Sequence, residues 1–161
     1  MRRRRPCARW ACLRERARVS LPAELDDLPR PLYFFDGHCV LCSGFVSFCL
    51  ARDPEGRLKF ASTQSALGRH VLAALGLPDI TFQNTILLLD GDRVYSRSTA
   101  VLRALRHLRG PVRLLRPLEL IPAWLRDPVY SVIARNRYRW FGRRSTCFVP
   151  TVATRARFID L

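Results

Sequence analysis

The sequence is poor in lysine and contains no long hydrophobic run. All but one of its 28 basic residues are arginine, Lys59 being the exception. No stretch approaches the roughly 20 apolar residues of a membrane-spanning helix. The apolar core of a secretory signal peptide is also missing. We therefore expect a soluble protein that has no membrane span and does not enter the secretory pathway.

What the chain does have is 161 residues, an apolar content of 48% and six cysteines. This length and apolar content are enough for one compact domain with a hydrophobic core. Secreted disulfide scaffolds are usually shorter and more densely cross-linked. The cysteines therefore favour a reducing compartment, and we expect the cytoplasm.

The formal net charge of +15 is high for a chain of this length. Such a charge occurs in proteins that bind nucleic acid, an anionic membrane surface or acidic partners. The arginines are dispersed along the chain, however, as expected from a coding bias in a GC-rich genome. Composition alone therefore does not predict nucleic-acid binding.

The N-terminal segment, residues 1–30, begins with four arginines after the first methionine. It predicts a basic, disordered tail, with an upstream start-codon artefact and an organelle-targeting segment as the alternatives. The remaining chain divides into a core at residues 31–110, an apolar strip and a helix packed on that core at 111–150, and a second tail at 151–161.

Hydrophobic periodicity and turn residues predict alternating strands and helices in the core. In chain order these are a buried strand Leu32–Phe35, a helix from near Cys39 to Arg52, a strand Arg57–Ala61, a helix capped by Ser62 or Thr63 and ended by Gly76, a strand Thr85–Leu89, a hairpin turn at Asp90–Asp92, a strand Arg93–Tyr95, and a helix capped by Ser96 or Ser98 and ended at Gly110-Pro111.

This order predicts an α/β fold with a mixed four-stranded sheet. The first three strands are joined through helices and can therefore pair in parallel, while the hairpin adds an antiparallel edge. With two cysteines after the first strand, the plan is a thioredoxin-like three-layer sandwich. A C-terminal helical extension follows, with Asp127 as its N-cap, Pro128 as its first residue and Gly142 as its end.

Cys39 and Cys42 fall in the first turn of the first predicted helix. Residues three apart share a helix face, so the two sulfurs can come within disulfide reach. Cys39 also lies beside unpaired N–H groups at the positive end of the helix dipole, which lowers the pKa of its thiol. We expect Cys39 to attack a substrate disulfide and Cys42, deeper in the helix, to resolve the mixed disulfide.

Two neighbours have expected roles in this chemistry. Asp36 is either a buried carboxylate that helps to deprotonate Cys42 or a residue that caps the helix and fixes the Asp-Gly turn. His38 is expected to be an exposed residue that modulates Cys39, since a protonated imidazole favours the thiolate.

The motif Asp36-x-x-Cys39-x-x-Cys42 resembles that of the DCC family of predicted thiol-disulfide oxidoreductases. The likeness extends over about Leu32 to Pro150 and includes Gln64-Ser65, Ser98, Arg126-Asp127, the run Ala134–Tyr138, Phe141-Gly142 and Cys147. The resemblance implies an enzyme with a thioredoxin-like fold and a redox-active dithiol. It implies a disulfide or thiol substrate, protein or small molecule, and an electron donor, and it names neither; we expect no cofactor and no metal.

Thioredoxins place a cis-proline before the hairpin, and Thr85 is the candidate for that position here. Its backbone could bind a substrate chain, although a non-proline peptide is expected to be trans, because the cis form costs about 2.5–4 kcal/mol.

Two other functions compete with the enzyme. In the first, Cys39 and Cys42 form half of a zinc site completed by two of His38, His70 and Cys147, although a second Cys-x-x-Cys is absent. In the second, the fold is a redox-inactive adaptor that binds anionic partners through arginine. The run Arg135–Arg139 mixes cations with aromatic rings, as acidic-ligand sites do, but a solvated, packed helix also explains it.

Overall fold

The computed structural model describes residues 25–77 and 85–160. The order of strands and helices predicted from the sequence is confirmed, with small shifts at the ends. The elements are β1 Leu32–Phe35, α1 Val40–Arg52, β2 Lys59–Ser62, α2 Ala66–Ala74, β3 Leu87–Asp90, β4 Arg93–Ser96, α3 Arg97–Arg106, a 3-10 helix Pro111–Leu120, α4 Ala123–Phe141 and a short 3-10 helix Arg155–Arg157.

The four strands form one mixed sheet in the order β2-β1-β3-β4. β1 pairs with β2 in parallel, and both the β1–β3 and the β3–β4 pairs are antiparallel. The expectation that β3 would pair in parallel is therefore wrong. Residues 75–86 join α2 to β3, and a connection of this length lets the chain enter the sheet from either end.

The sheet lies between two hydrophobic cores. Leu32 and Phe34 of β1 pack with Val71 of α2 on one face, and Tyr33 and Phe35 pack with α1 and α3 on the other. Successive residues of a strand point to opposite faces of the sheet. Because both faces are covered here, all four β1 side chains are buried. The three-layer, thioredoxin-like arrangement is thus confirmed.

The N-cap of α2 is Ser65 and not Ser62 or Thr63. The hydroxyl of Ser65 accepts a hydrogen bond from the backbone N–H of Gly68 at 3.1 Å. Ser62 is the last residue of β2, where its hydroxyl donates to the side chain of Gln64. Because Ser62 still has strand pairing to β1, the helix begins only after the turn that follows.

The helix of the C-terminal extension starts earlier than predicted. α4 begins at Ala123, after the extended N-cap Pro122. Asp127 is therefore inside the helix and is not its cap; its carboxylate accepts a hydrogen bond from the Ser98 hydroxyl at 2.5 Å. This contact ties α4 to the start of α3.

The apolar strip before α4 packs on the core less than expected. Within the 3-10 helix only Val112 is buried, whereas Leu114 and Leu120 are 79% and 86% exposed. None of the helices in the described parts of the chain is both long and apolar enough to cross a bilayer.

The two chain ends also differ from the predicted tails. Phe158 forms a parallel bridge with Phe60 beside β2 and stacks on Phe148. Arg157 forms an ion pair with the buried carboxylate of Asp53, so the last residues are held on the sheet. At the other end Leu25 is fully buried against the α2 face of the sheet, and the remainder of the predicted tail, residues 1–24, is outside the described residues.

Candidate active site at the start of α1

The site is built on the turn that joins β1 to α1. The strand ends at Phe35, and a backbone hydrogen bond from Cys39 N–H to the Asp36 carbonyl closes the turn at 3.2 Å. Cys39 is then the N-cap of α1, and its sulfur accepts a hydrogen bond from the backbone N–H of Cys42 at 3.3 Å. A sulfur here does what a serine or aspartate oxygen usually does at a helix start.

The two sulfurs have opposite acidities. The thiol of Cys42 donates a hydrogen bond to the sulfur of Cys39, and this bond, together with the Cys42 N–H and the nearby Arg137, lowers the pKa of Cys39 to about 6. The same hydrogen bond, followed by burial, raises the pKa of Cys42 far above its usual value. At neutral pH the pair therefore consists of a thiolate at Cys39 and a thiol at Cys42.

Cys39, the expected nucleophile, is the more buried of the two cysteines. Cys39 has no exposed surface, whereas Cys42 is partly exposed. The cover over Cys39 comes from residues 142–148, which we call the covering segment. Arg143 forms an antiparallel bridge with Cys39, and the backbone N–H of Arg144 donates to the His38 carbonyl at 2.8 Å.

The covering segment also fits tightly against Gly37. The N–H of Phe148 donates to the Gly37 carbonyl at 3.0 Å, and the sulfur of Cys147 lies 2.2 Å from where a β-carbon on residue 37 would stand. Only glycine leaves room for this contact. The backbone of the covering segment therefore forms part of the wall around Cys39.

Asp36 is almost fully buried and accepts four hydrogen bonds. One carboxylate oxygen accepts from the His38 N–H at 3.0 Å and from the Gln64 amide at 2.9 Å. The other accepts from Arg137 at 2.8 Å and from the Tyr138 hydroxyl. Burial alone would raise the pKa of Asp36, but these donors hold it below its usual value. The bond to His38 N–H is the turn-fixing contact considered above.

Arg137 is the site residue that sequence reasoning missed. It is only 2% exposed, and its positive charge acts on both cysteines. Its Nε is buried without a hydrogen-bond partner. The surrounding run, interpreted from sequence as a solvated helix or a ligand surface, is in fact divided, because Arg135 and Arg139 are exposed while Arg137 points inward. No sequence pattern marks it, because the burial of Ala134 and Arg137 on one side of α4 is known only from the structure.

Thr85 is linked to the dithiol through Tyr130, which hydrogen-bonds Thr85 and lies near Cys42. Thr85 is 2% exposed, and its hydroxyl accepts a hydrogen bond from the N–H of Arg97 at 3.2 Å. It also hydrogen-bonds Tyr130, whose pKa is raised to about 12 by burial, with a smaller contribution from Cys42. The peptide between Asn84 and Thr85 involves a residue outside the described part of the chain.

The zinc alternative is not favoured. Within residues 25–77 and 85–160, no group of three or more histidine, cysteine or acidic side chains is arranged to hold a metal ion. Of the histidines considered for such a site, His70 is on the exposed side of α2 and His38 is partly exposed.

Comparison with known proteins gives a consistent assignment. A family model described as DCC1-like thiol-disulfide oxidoreductase matches residues 33–143. The uncharacterized protein YuxK of Bacillus subtilis is 42% identical over 134 residues, which cover 83% of this chain and 97% of that protein. The chloroplastic DCC family protein At1g52590 of Arabidopsis thaliana is 36% identical over 120 residues, which cover 73% of this chain and 69% of that protein. No solved structure matches. The chain belongs to the DCC1-like thiol-disulfide oxidoreductase family.

Proposed function

We propose that this protein is an enzyme that exchanges electrons with a thiol or disulfide substrate through Cys39 and Cys42. The observation that carries the proposal is that one sulfur, that of Cys39, accepts hydrogen bonds from both the N–H and the thiol of Cys42. This arrangement stabilises a thiolate, the species that attacks disulfides. The reducing cytoplasm is the compartment we propose for it.

In the first step the Cys39 thiolate attacks one sulfur of a substrate disulfide. A bond forms between Cys39 Sγ and that sulfur, the substrate S–S bond breaks, and the second substrate sulfur leaves as a thiolate. The negative charge on Cys39 is lost in the mixed disulfide. Because that charge is what the Cys42 thiol was donating to, the main cause of the raised pKa of Cys42 disappears with it.

In the second step Cys42 resolves the mixed disulfide. Its proton passes to the departed substrate thiolate, and Cys42 Sγ attacks Cys39 Sγ, which releases the rest of the substrate as a second thiolate. The dithiol has then lost two electrons and the substrate has gained them. A dithiol or thiol donor returns the Cys39–Cys42 disulfide to the reduced state.

Asp36 and Arg137 act in this scheme by their charges. Asp36 holds the guanidinium of Arg137 in the core through its 2.8 Å ion pair, and Arg137 favours negative charge on either sulfur. A carboxylate with four donors and a lowered pKa is a weak base. We therefore propose that Asp36 positions Arg137 and the turn, and that it does not remove the proton of Cys42.

Trapping of the mixed disulfide tests the proposal. The reduced full chain carrying Cys42→Ser is expected to accumulate one covalent adduct with glutathione disulfide on Cys39, detected by intact-mass and peptide mass spectrometry, whereas wild type passes on to the internal disulfide. Cys49→Ala is the matched control, since Cys49 is buried in the same helix and should leave turnover unchanged.

Three outcomes would contradict the scheme. An adduct that forms on Cys42 in Cys39→Ser, but not on Cys39 in Cys42→Ser, would reverse the roles of the two thiols. Normal turnover by Cys42→Ser would remove Cys42 from the mechanism. An absence of adduct in every variant would exclude disulfide exchange at this site.

A further inference from the structure

The outward side of α4 is apolar along most of its length. Five exposed apolar side chains of α4 fall within about 100° of arc at 3.6 residues per turn, which places them on one side of the helix, while Ala134 and Arg137 on the other side are buried. An exposed helix face normally carries polar residues. The face consists of Leu125, Val129, Val132, Ile133 and Trp140, which are 48%, 62%, 53%, 38% and 50% exposed.

The preceding 3-10 helix also carries exposed apolar side chains. Leu114 and Leu120 are among its most exposed side chains, and Ile121 leads directly into α4 with 39% exposure. Single exposed apolar residues are common on proteins and need no explanation, but several on one side of one helix are typical of an interaction site.

The charge around the apolar face is of one sign. Residues 111–144 contain eight arginines and two acidic residues. Both acids are already engaged: Glu119 forms an ion pair with Arg106, and Asp127 accepts the Ser98 hydroxyl. Arg135 and Arg139 are exposed among the apolar residues of α4.

We propose that the α4 face docks on an anionic lipid bilayer, with the helix axis parallel to the membrane plane. Tryptophan, leucine and valine facing one way, with arginines beside them, is the composition of helices that lie in the membrane interface. Leu125 and Trp140, at the two ends of the face, are separated by about 22 Å at 1.5 Å per residue, and Trp140 gives one end an aromatic side chain suited to the headgroup region.

Charge favours this occupant over a second copy of the chain. Two copies that met through this face would bring arginines against arginines, which is costly, whereas anionic headgroups neutralise them. A bilayer also needs no groove, and the surface of a single exposed helix offers none.

Vesicle flotation tests the proposal on the full chain. We expect binding to vesicles of equal parts phosphatidylglycerol and phosphatidylcholine, and little binding to pure phosphatidylcholine. The double variant Val129→Ser/Trp140→Ser should bind at least about tenfold more weakly, because it removes inserted apolar area. Val152→Ser is the matched control, since Val152 is 96% exposed but lies outside α4.

A second variant, Leu120→Ser on the 3-10 helix, should also weaken binding. Each variant changes an exposed side chain, and an unchanged alkylation rate of Cys39 verifies that it is folded. Unweakened binding of the double variant would show that arginines alone attract the vesicles and would overturn the proposal, as would no binding to phosphatidylglycerol vesicles. A dimer detected by light scattering without lipid, and lost in the double variant, would assign the face to a second copy instead.

Discussion

Replacing Asp36 with asparagine separates its two conceivable roles by the sign of one measurement. Asparagine keeps the shape and an oxygen that can accept from the His38 N–H, but it removes the negative charge. That charge raises the pKa of Cys39, so Asp36→Asn should lower it, by roughly one unit for a close charge in a partly buried site. The opposite change, Arg137→Gln, should raise the pKa of Cys39 by a similar amount.

The change in the thiolate fraction of Cys39 is largest below pH 7 for Asp36→Asn and is already large at pH 7 for Arg137→Gln. With a pKa of about 6, Cys39 is about nine-tenths thiolate at pH 7, so a lower pKa adds little there and shows only under acidic conditions. A rise to about 7 in Arg137→Gln leaves about half as thiolate. Both variants break a buried ion pair and should lose about 3–5 kcal/mol of unfolding free energy.

The assay is the rate of Cys39 alkylation by iodoacetamide, followed by peptide mass spectrometry at a series of pH values on both sides of the pKa. Urea unfolding in parallel gives the stability loss, which should be similar for the two variants and so cannot explain shifts of opposite sign. A lower pKa of Cys39 in Arg137→Gln would refute the electrostatic argument, and a higher one in Asp36→Asn would mean that Arg137, no longer held by the carboxylate, had moved away from Cys39. Unchanged alkylation with slower closure of the Cys39–Cys42 disulfide would instead show that Asp36 is a base for Cys42.

Two further predictions concern the segments packed around the site. Gly37→Ala places a β-carbon against the sulfur of Cys147, so it should lower the free energy of unfolding in urea by about 1–3 kcal/mol and speed the alkylation of Cys39. The double variant with Cys147→Ala should recover most of the lost stability. No recovery would contradict the contact. Phe158→Ala should cost about 2–4 kcal/mol, because Phe158 packs on the rings of Phe35 and Phe60, whereas a loss below about 0.5 kcal/mol, typical of a surface site, would mean a loose tail.

The fold could be predicted where local patterns determine it. The apolar run of β1 and the turn residues Asp36-Gly37 predict a strand and a turn from only a few neighbouring residues. The direction of β3 could not be predicted, because a run such as Leu87–Leu89, buried on both faces, has the same pattern when it is reversed. Phe158 was missed for a related reason, since one aromatic residue in a polar segment has no periodicity.

The same division applies to the site. Asp36, Cys39 and Cys42 lie within seven consecutive residues, and the strand-turn-helix pattern around them predicted that they would lie close together. Arg137 is 101 residues from Asp36 in the chain, and only the packing of α4 brings its guanidinium to the carboxylate. The covering segment is equally remote from Cys39 in the chain, so no local pattern could show that the proposed nucleophile is buried.

Burial and acidity of Cys39 have separate physical causes, and this separation bears on how the site reacts. The largest cause of the low pKa is the hydrogen bond from Cys42, with help from Arg137, and neither residue belongs to the covering segment. Movement of that segment therefore changes access to the sulfur without removing the main donors that keep it ionised. Ionisation of Cys39 and access to it thus depend on different parts of the chain, so a substitution that loosens the covering segment, such as Gly37→Ala, should speed the reaction of Cys39 without changing its pKa.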